Sequence, residues 1–192
     1  MSTRSVIAKR TGEHTFEGTY HHSDGYPTGV GATLHELYNG YFRKDLPAML
    51  DYLLAHSWST INGSDFSQPP GFIEHPNYPR IKDGSIDWEA FTKAVRAAGP
   101  KCYCHGDRSE EPWILTQDTA SNSGREWAYV FDCETDEMLI MSSYHENGTK
   151  AIGFFGMGDP DAVWVIVGKV VLDNPLDNNQ LAAIENGEIL VT

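Results

Sequence analysis

The order of periodic segments predicts an α+β protein in which helices pack on a mostly antiparallel sheet. Two amphipathic helical patterns come early in the chain, and alternating strand patterns fill its second half. The chain has 192 residues, of which 40% are hydrophobic, and this is enough to bury one core. We predict a flexible polar arm over residues 1–15, followed by a single domain over residues 16–192.

The first strand and two helices follow the predicted arm. A weak alternation around Phe16, Gly18 and Tyr20 predicts the strand. Apolar side chains at helical spacing predict a helix over residues 30–42, with Leu34 on its apolar face. A second helix is predicted over residues 45–55, because Asp45 can cap it and Pro47 suits its first turn.

The middle of the chain is less regular. Residues 56–85 are rich in proline and glycine, which predicts a long irregular insertion. Loops of this length are uncommon in compact domains and are often functional. Trp88 and Phe91 share a face of a third helix predicted over residues 86–98, which ends before Pro100.

The second half of the chain has the period of β-strands. Trp127, Tyr129 and Phe131 alternate with smaller residues, and a polar turn separates this strand from its predicted partner. Together the two strands predict a β-hairpin. The predicted elements are strands over residues 126–132, 138–144, 151–155 and 163–172, and a short helix over residues 176–184.

Charge and composition restrict the class of protein. The chain has 14 basic and 27 acidic residues, so its net charge is −13, which disfavours binding to nucleic-acid phosphates. The longest apolar run, residues 162–167, is too short to cross a membrane. The N-terminus has no apolar signal segment, and the three cysteines suit a reducing compartment. These features predict a cytoplasmic protein without membrane association.

The turn before the first helix is the strongest candidate site. A helix N-terminus presents backbone N–H groups that favour anions, and glycine permits close approach of a ligand. We predict that this turn holds a small polar or anionic ligand, or a group on a protein partner. A purely structural turn remains the alternative, since Gly25 and Pro27 suit chain reversal. The predicted binding residues are His22, Asp24, Tyr26, Thr28, Gly29, Gly31 and Arg108.

The same turn resembles a group of uncharacterised small proteins from phages, prophages and actinobacterial genomes. The resemblance lies in the strand–HxDGYPxGVG–helix pattern and in a later strand, and it covers residues 22–34 and 127–131. It implies a shared domain and a phage-related setting, and it supplies no catalytic residues. The insertion over residues 56–85 departs from the compact members of that group.

A second cluster, formed by Cys102, Cys104 and His105, has an incomplete set of metal ligands. The Cys-x-Cys gap is tighter than that of common zinc sites, and completion needs a distant histidine such as His56 or His75. We therefore predict no metal and no cofactor here. On a strand, the two cysteines share a face.

These features predict a non-enzymatic binding protein, and two alternatives stay open. One is a metal-dependent hydrolase that uses His21, His22, Asp24 and His105. The other is an acidic inhibitor protein that blocks a basic surface of a partner.

Overall fold

The computed structural model describes residues 3–13, 15–61, 63–67, 70–72, 80–97, 99–104, 113–121, 125–144 and 163–189. These residues form one mixed sheet with helices packed on it, and the predicted α+β class is confirmed. The strands are β1 (Ser5–Arg10), β2 (Phe16–His21), β3 (Trp58–Thr60), β4 (Gly71–Phe72), β5 (Lys101–Cys102), β6 (Ile114–Thr116), β7 (Trp127–Asp132), β8 (Glu137–Tyr144) and β9 (Val163–Val171). The helices are α1 (Ala32–Asn39), α2 (Leu46–Leu54), α3 (Trp88–Ala97), α4 (Gln117–Ser121) and α5 (Asn178–Glu185).

The sheet has the strand order β4-β5-β3-β2-β1-β7-β8-β9, and β6 pairs with β2 beside β3. Three neighbouring pairs are parallel, namely β1 with β7, β2 with β3, and β4 with β5. The other described pairs are antiparallel, including the predicted hairpin of β7 and β8. The prediction of a mostly antiparallel sheet is therefore confirmed.

The start of the chain corrects one prediction. Residues 1–15 were expected to be a flexible arm, but β1 lies between β2 and β7 in the middle of the sheet. Val6, Ile7 and Ala8 are fully buried. Their local sequence is short and mixed in polarity, and its burial comes from pairing with strands on both sides. Such long-range pairing leaves no periodic signal in so short a segment.

The predicted helices are present with altered bounds. A single π-helical turn, Pro27–Gly31, precedes α1, which ends at Asn39 rather than at residue 42 because Gly40 follows it. Asp45 caps α2 as expected, and its Oδ1 accepts a hydrogen bond of 3.0 Å from the Ala48 N–H. Helices α3 and α5 match the remaining two helical patterns.

The core lies on both faces of the central strands. On one face, the helices bury Leu34 and Leu53 against alternate side chains of β7, which include Tyr129. On the other face, Ala128 and Val130 pack with residues of β1, β2, β6 and α4. Every residue of β7 is buried. Its sequence is therefore strongly apolar, and this made the strand predictable.

The predicted insertion over residues 56–85 is only partly irregular, because β3 and β4 lie within it and join the sheet. The strand predicted over residues 151–155 lies outside the described residues. In the part of the chain that the structure describes, no helix has both the length and the apolar character needed to cross a membrane.

Candidate functional site

Three strand ends meet at one edge of the sheet. Ser5 of β1 lies opposite His21 of antiparallel β2 and opposite Trp127 of parallel β7. The residues just before β1 and β7, and those just after β2, are therefore neighbours. This register brings Arg4, His22 and Arg125 to the same place, although they are far apart in the sequence. Strand β5 ends here as well, since Cys102 and His21 both pair with Trp58 of β3.

Aromatic side chains surround His22 at this edge. The Tyr20 hydroxyl lies 2.5 Å from His22 Nδ1, and this hydrogen bond orients the imidazole. The Tyr103 ring lies edge-on to His22, with 6.3 Å between ring centroids, and stacks on Trp113 at 5.8 Å with an interplanar angle of 12°. Tyr20 is buried, whereas Trp113 is 40% exposed, so the cluster has a side open to solvent.

Two arginines add positive charge to this cluster. Arg125 Cζ lies 4.4 Å from the centroid of the Tyr20 ring, which is a cation–π contact. Burial, followed by the charges of Arg4 and Arg125, lowers the pKa of His22. Burial also raises the pKa values of Tyr20 and Tyr103, so both phenols stay protonated at neutral pH. We call Arg4, Tyr20, His22, Tyr103, Trp113 and Arg125 the Arg4–Arg125 site.

Among the described residues, no carboxylate forms an ion pair with Arg4. Its charge contributes to the lowered pKa of Arg125, after the larger effect of burial. The charges of both arginines act on His22, although the whole chain has a net charge of −13. An anion bound near both arginines would be favoured by their charges.

The N–H groups of the predicted turn are already used within the protein. The Glu185 carboxylate of α5 accepts a hydrogen bond of 2.6 Å from the Thr28 hydroxyl and another of 3.3 Å from the Thr28 N–H. The Gly29 and Val30 N–H groups donate to backbone oxygens of Tyr26 and Asp24. The anion that a helix start favours is therefore a side chain of this chain itself.

The glycines of the turn have a packing role. A Cβ on Gly29 would collide with the Asp24 carbonyl oxygen and would lie 2.9 Å from the Tyr26 ring. A Cβ on Gly31 would lie 3.0 Å from the Tyr129 ring, whose hydroxyl donates a 2.9 Å hydrogen bond to the Gly25 carbonyl oxygen. The positive φ of this turn belongs to Asp24, at 53°.

The two neighbouring histidines face opposite sides of the sheet. His21 is fully buried on the helix side, and its Nδ1 lies 3.2 Å from the Ser5 hydroxyl. Burial lowers its pKa to about 3, so it is neutral at physiological pH. His22 belongs to the opposite side, with Tyr20. The two imidazoles that the hydrolase alternative requires therefore do not converge.

The structure describes only part of the Cys-His segment, residues 102–108, which was predicted to contribute to the site. Arg108 and His105 are not among the described residues. Cys102 and Cys104 pack with the helix-side core while Tyr103 packs on the other side, which confirms their predicted alternation. His56 Nδ1 lies 3.0 Å from Cys104 Sγ, which lies 3.2 Å from Cys102 Sγ.

Sequence reasoning missed Arg4 and Arg125. Arg4 fell within the expected arm, and Arg125 immediately precedes a strand, where a charged residue is ordinary. Only the parallel pairing of β1 with β7 makes them neighbours, and parallel strands distant in sequence give no local signal.

Comparisons with protein-family models, curated proteins and solved structures found no match for the chain.

Proposed function

We propose that this protein is a non-enzymatic binding protein for a small organic anion, held at the Arg4–Arg125 site. The proposal keeps His22 from the predicted turn and replaces Arg108 with two arginines from the strand ends. The observation that carries it is the placement of Arg4 and Arg125 around His22 in a strongly acidic chain.

The two guanidinium groups should bind the anionic part of the ligand, and this part should be held most tightly. Guanidinium groups form strong hydrogen bonds with carboxylate and phosphate oxygens, and these bonds gain strength where water is partly excluded. Arg125 is partly buried against Tyr20, so its side chain is held before a ligand arrives. Such prior ordering lowers the entropy cost of binding.

The aromatic side chains define the rest of the ligand. Tyr103 and Trp113 stack on one another, and Trp113 keeps part of its surface in solvent. An exposed aromatic surface beside two cations suits a ligand with a flat ring and an anionic group. The Tyr20 and Tyr103 phenols stay protonated at neutral pH, so they place no negative charge beside a bound anion.

Isothermal titration calorimetry with phenyl phosphate tests this proposal, with inorganic phosphate and phenol as the anionic and aromatic halves of the probe. We expect one molecule of phenyl phosphate per chain, weaker binding of phosphate and no detectable binding of phenol. Arg4→Gln and Arg125→Gln should each weaken binding about tenfold or more, because each removes a charge-assisted hydrogen bond.

The matched control is Lys82→Gln, which removes one positive charge from an exposed turn elsewhere. The affinity of this variant for phenyl phosphate should stay within about twofold of the affinity of the unchanged protein. Equal weakening in all three variants would mean that net charge, rather than this site, attracts the probe. A phage-related role for such a binding protein stays a prediction based on the turn motif.

A further inference from the structure

A second cluster of side chains lies on the helix side of β5, away from the aromatic rings of the Arg4–Arg125 site. His56, just after α2, meets Cys102 and Cys104, and one ligand atom from each lies within 4.8 Å of the others. Cys102 is fully buried, while Cys104 and His56 are half-buried. Among the described residues, this is the one group of three such side chains close enough to share a metal ion.

We propose that His56, Cys102 and Cys104 form a binding site for a divalent zinc ion. Two thiolates and an imidazole are ligands that zinc prefers, because the ion is borderline soft. The cysteine spacing alone gives two ligands, and the fold supplies the third from a residue far away in the sequence. Zinc prefers four ligands, and these side chains supply three of them. This proposal replaces the sequence-based expectation of no metal at Cys102 and Cys104, and it is independent of the proposed anion binding.

The backbone holds the three ligands in place. Trp58 of β3 pairs with Cys102 of β5, and the Tyr103 N–H donates a 2.9 Å hydrogen bond to the Ser57 carbonyl oxygen. The Thr19 hydroxyl donates a 2.7 Å hydrogen bond to the carbonyl oxygen of His56. The segments that contain the ligands are therefore joined by the sheet itself, so metal binding requires little reorganisation of the backbone.

The ring of His56 is also fixed by packing. It lies edge-on to Trp58, with 4.9 Å between ring centroids, and 5.8 Å from the Tyr52 ring. These contacts direct Nδ1 toward Cys104 Sγ at 3.0 Å. In this arrangement Nδ1 is the zinc ligand.

The two ligand separations that involve Cys104 are close to those of a tetrahedral site, and all three ligand atoms lie within 4.8 Å of one another. Zinc–ligand bonds of ordinary length put two thiolates about 3.8 Å apart, and a thiolate and an imidazole nitrogen about 3.5 Å apart. The corresponding separations here are 3.2 and 3.0 Å. Side-chain rotations that lengthen these two separations by about half an ångström would bring them to the values of a zinc site.

Elemental analysis of the untagged full chain tests the proposal. Protein stripped with a chelator and then incubated with zinc and desalted should retain about one zinc ion per chain. Cys104→Ser and His56→Ala should each weaken zinc affinity at least tenfold in competition with a chromophoric chelator. Cys133→Ser is the matched control, since Cys133 is exposed in the turn between β7 and β8, and it should bind like the unchanged protein.

Replacement of zinc by cobalt provides a measurement on the unchanged sequence, which is needed if a variant fails to fold. A thiolate-to-cobalt charge-transfer band should appear and saturate at one equivalent. Retention of less than a tenth of an equivalent of zinc would overturn the proposal, as would full affinity in both folded variants.

A thiol assay of the denatured, unreduced protein should find three thiols. A count of one, with Cys102 and Cys104 joined as a disulfide, would also overturn it.

Discussion

The guanidinium of Arg125 lies over the ring of Tyr20, and the hydroxyl of the same tyrosine is hydrogen-bonded to His22. Tyr20 thus connects the two groups that we assign to ligand binding. It is buried, so its position is set by the core of the sheet rather than by the loop that follows. The site is consequently anchored to a strand, and its geometry should persist whether or not a ligand is bound.

The helix face that supports this sheet can be tested at Leu34. Leu34→Asp should destabilise the protein by several kcal/mol, because Leu34 is fully buried and the substitution would bury an unpaired charge. Glu36→Ala on the exposed side of the same helix should change the free energy of unfolding by only about 0.5 kcal/mol. Chemical denaturation measures both, and an unchanged unfolding midpoint for Leu34→Asp would contradict the assigned core.

The turn before α1 should not tolerate a side chain at Gly29. Gly29→Ala would press a methyl group against the Asp24 carbonyl oxygen and the Tyr26 ring, and we expect a loss of about 1–3 kcal/mol. Thr28→Ala, which removes an exposed contact with Glu185, should cost less than about 1 kcal/mol. Thermal unfolding distinguishes the two. Equal stability of Gly29→Ala and the unchanged protein would show that the turn can widen at little cost.

His21 should make stability depend on pH in the acidic range. Its pKa is about 3 in the folded protein, against an ordinary value of 6.5, so the folded state resists protonation. The unfolded state takes up a proton below pH 6.5, and the folded state is therefore destabilised as the pH falls from about 6 to 3. The loss should approach roughly 1.4 kcal/mol for each pH unit.

The variant His21→Gln removes this proton uptake. Urea unfolding at a series of pH values should show that the variant loses less stability than the unchanged protein between pH 6 and pH 4. Other groups, such as Asp132 with its lowered pKa, contribute equally in both proteins and cancel in the comparison. Parallel stability profiles would mean that His21 is not held neutral by burial.

Ligand affinity should also depend on pH, through His22. Burial and the two arginines lower its pKa in the free protein, and a bound anion would raise it again. Affinity for phenyl phosphate should therefore show a His22-dependent increase as the pH falls through the His22 pKa of the complex, in addition to the effect of the second ionisation of the phosphate near about pH 6. His22→Ala should flatten this dependence and leave folding nearly intact. If the pH dependence of affinity is the same with and without His22, the imidazole does not contribute to ligand binding.

The fold was predictable where the apolar residues of a segment follow a clear helical or strand periodicity. The strand that contains Tyr129 and the helix capped by Asp45 were identified because burial and capping leave local signals. The strand that contains Ile7 was missed, since its burial depends on two partners distant in the sequence. The candidate site was only partly predictable for the same reason. His22 stood out in its turn, whereas Arg4 and Arg125 become neighbours only through the parallel pairing of β1 with β7.

Nuclear magnetic resonance of the histidine side chains can show whether an anion binds beside His22. Phenyl phosphate should shift the ring signals of His22 and saturate at one equivalent per chain. His35 is the internal control, because its Nε2 lies 2.9 Å from the Asn174 carbonyl oxygen on the helix side of the sheet. We expect the ring signals of His22 to shift and those of His35 to stay unchanged. An unmoved His22 at saturating probe, or equal shifts of both rings, would contradict binding at the Arg4–Arg125 site.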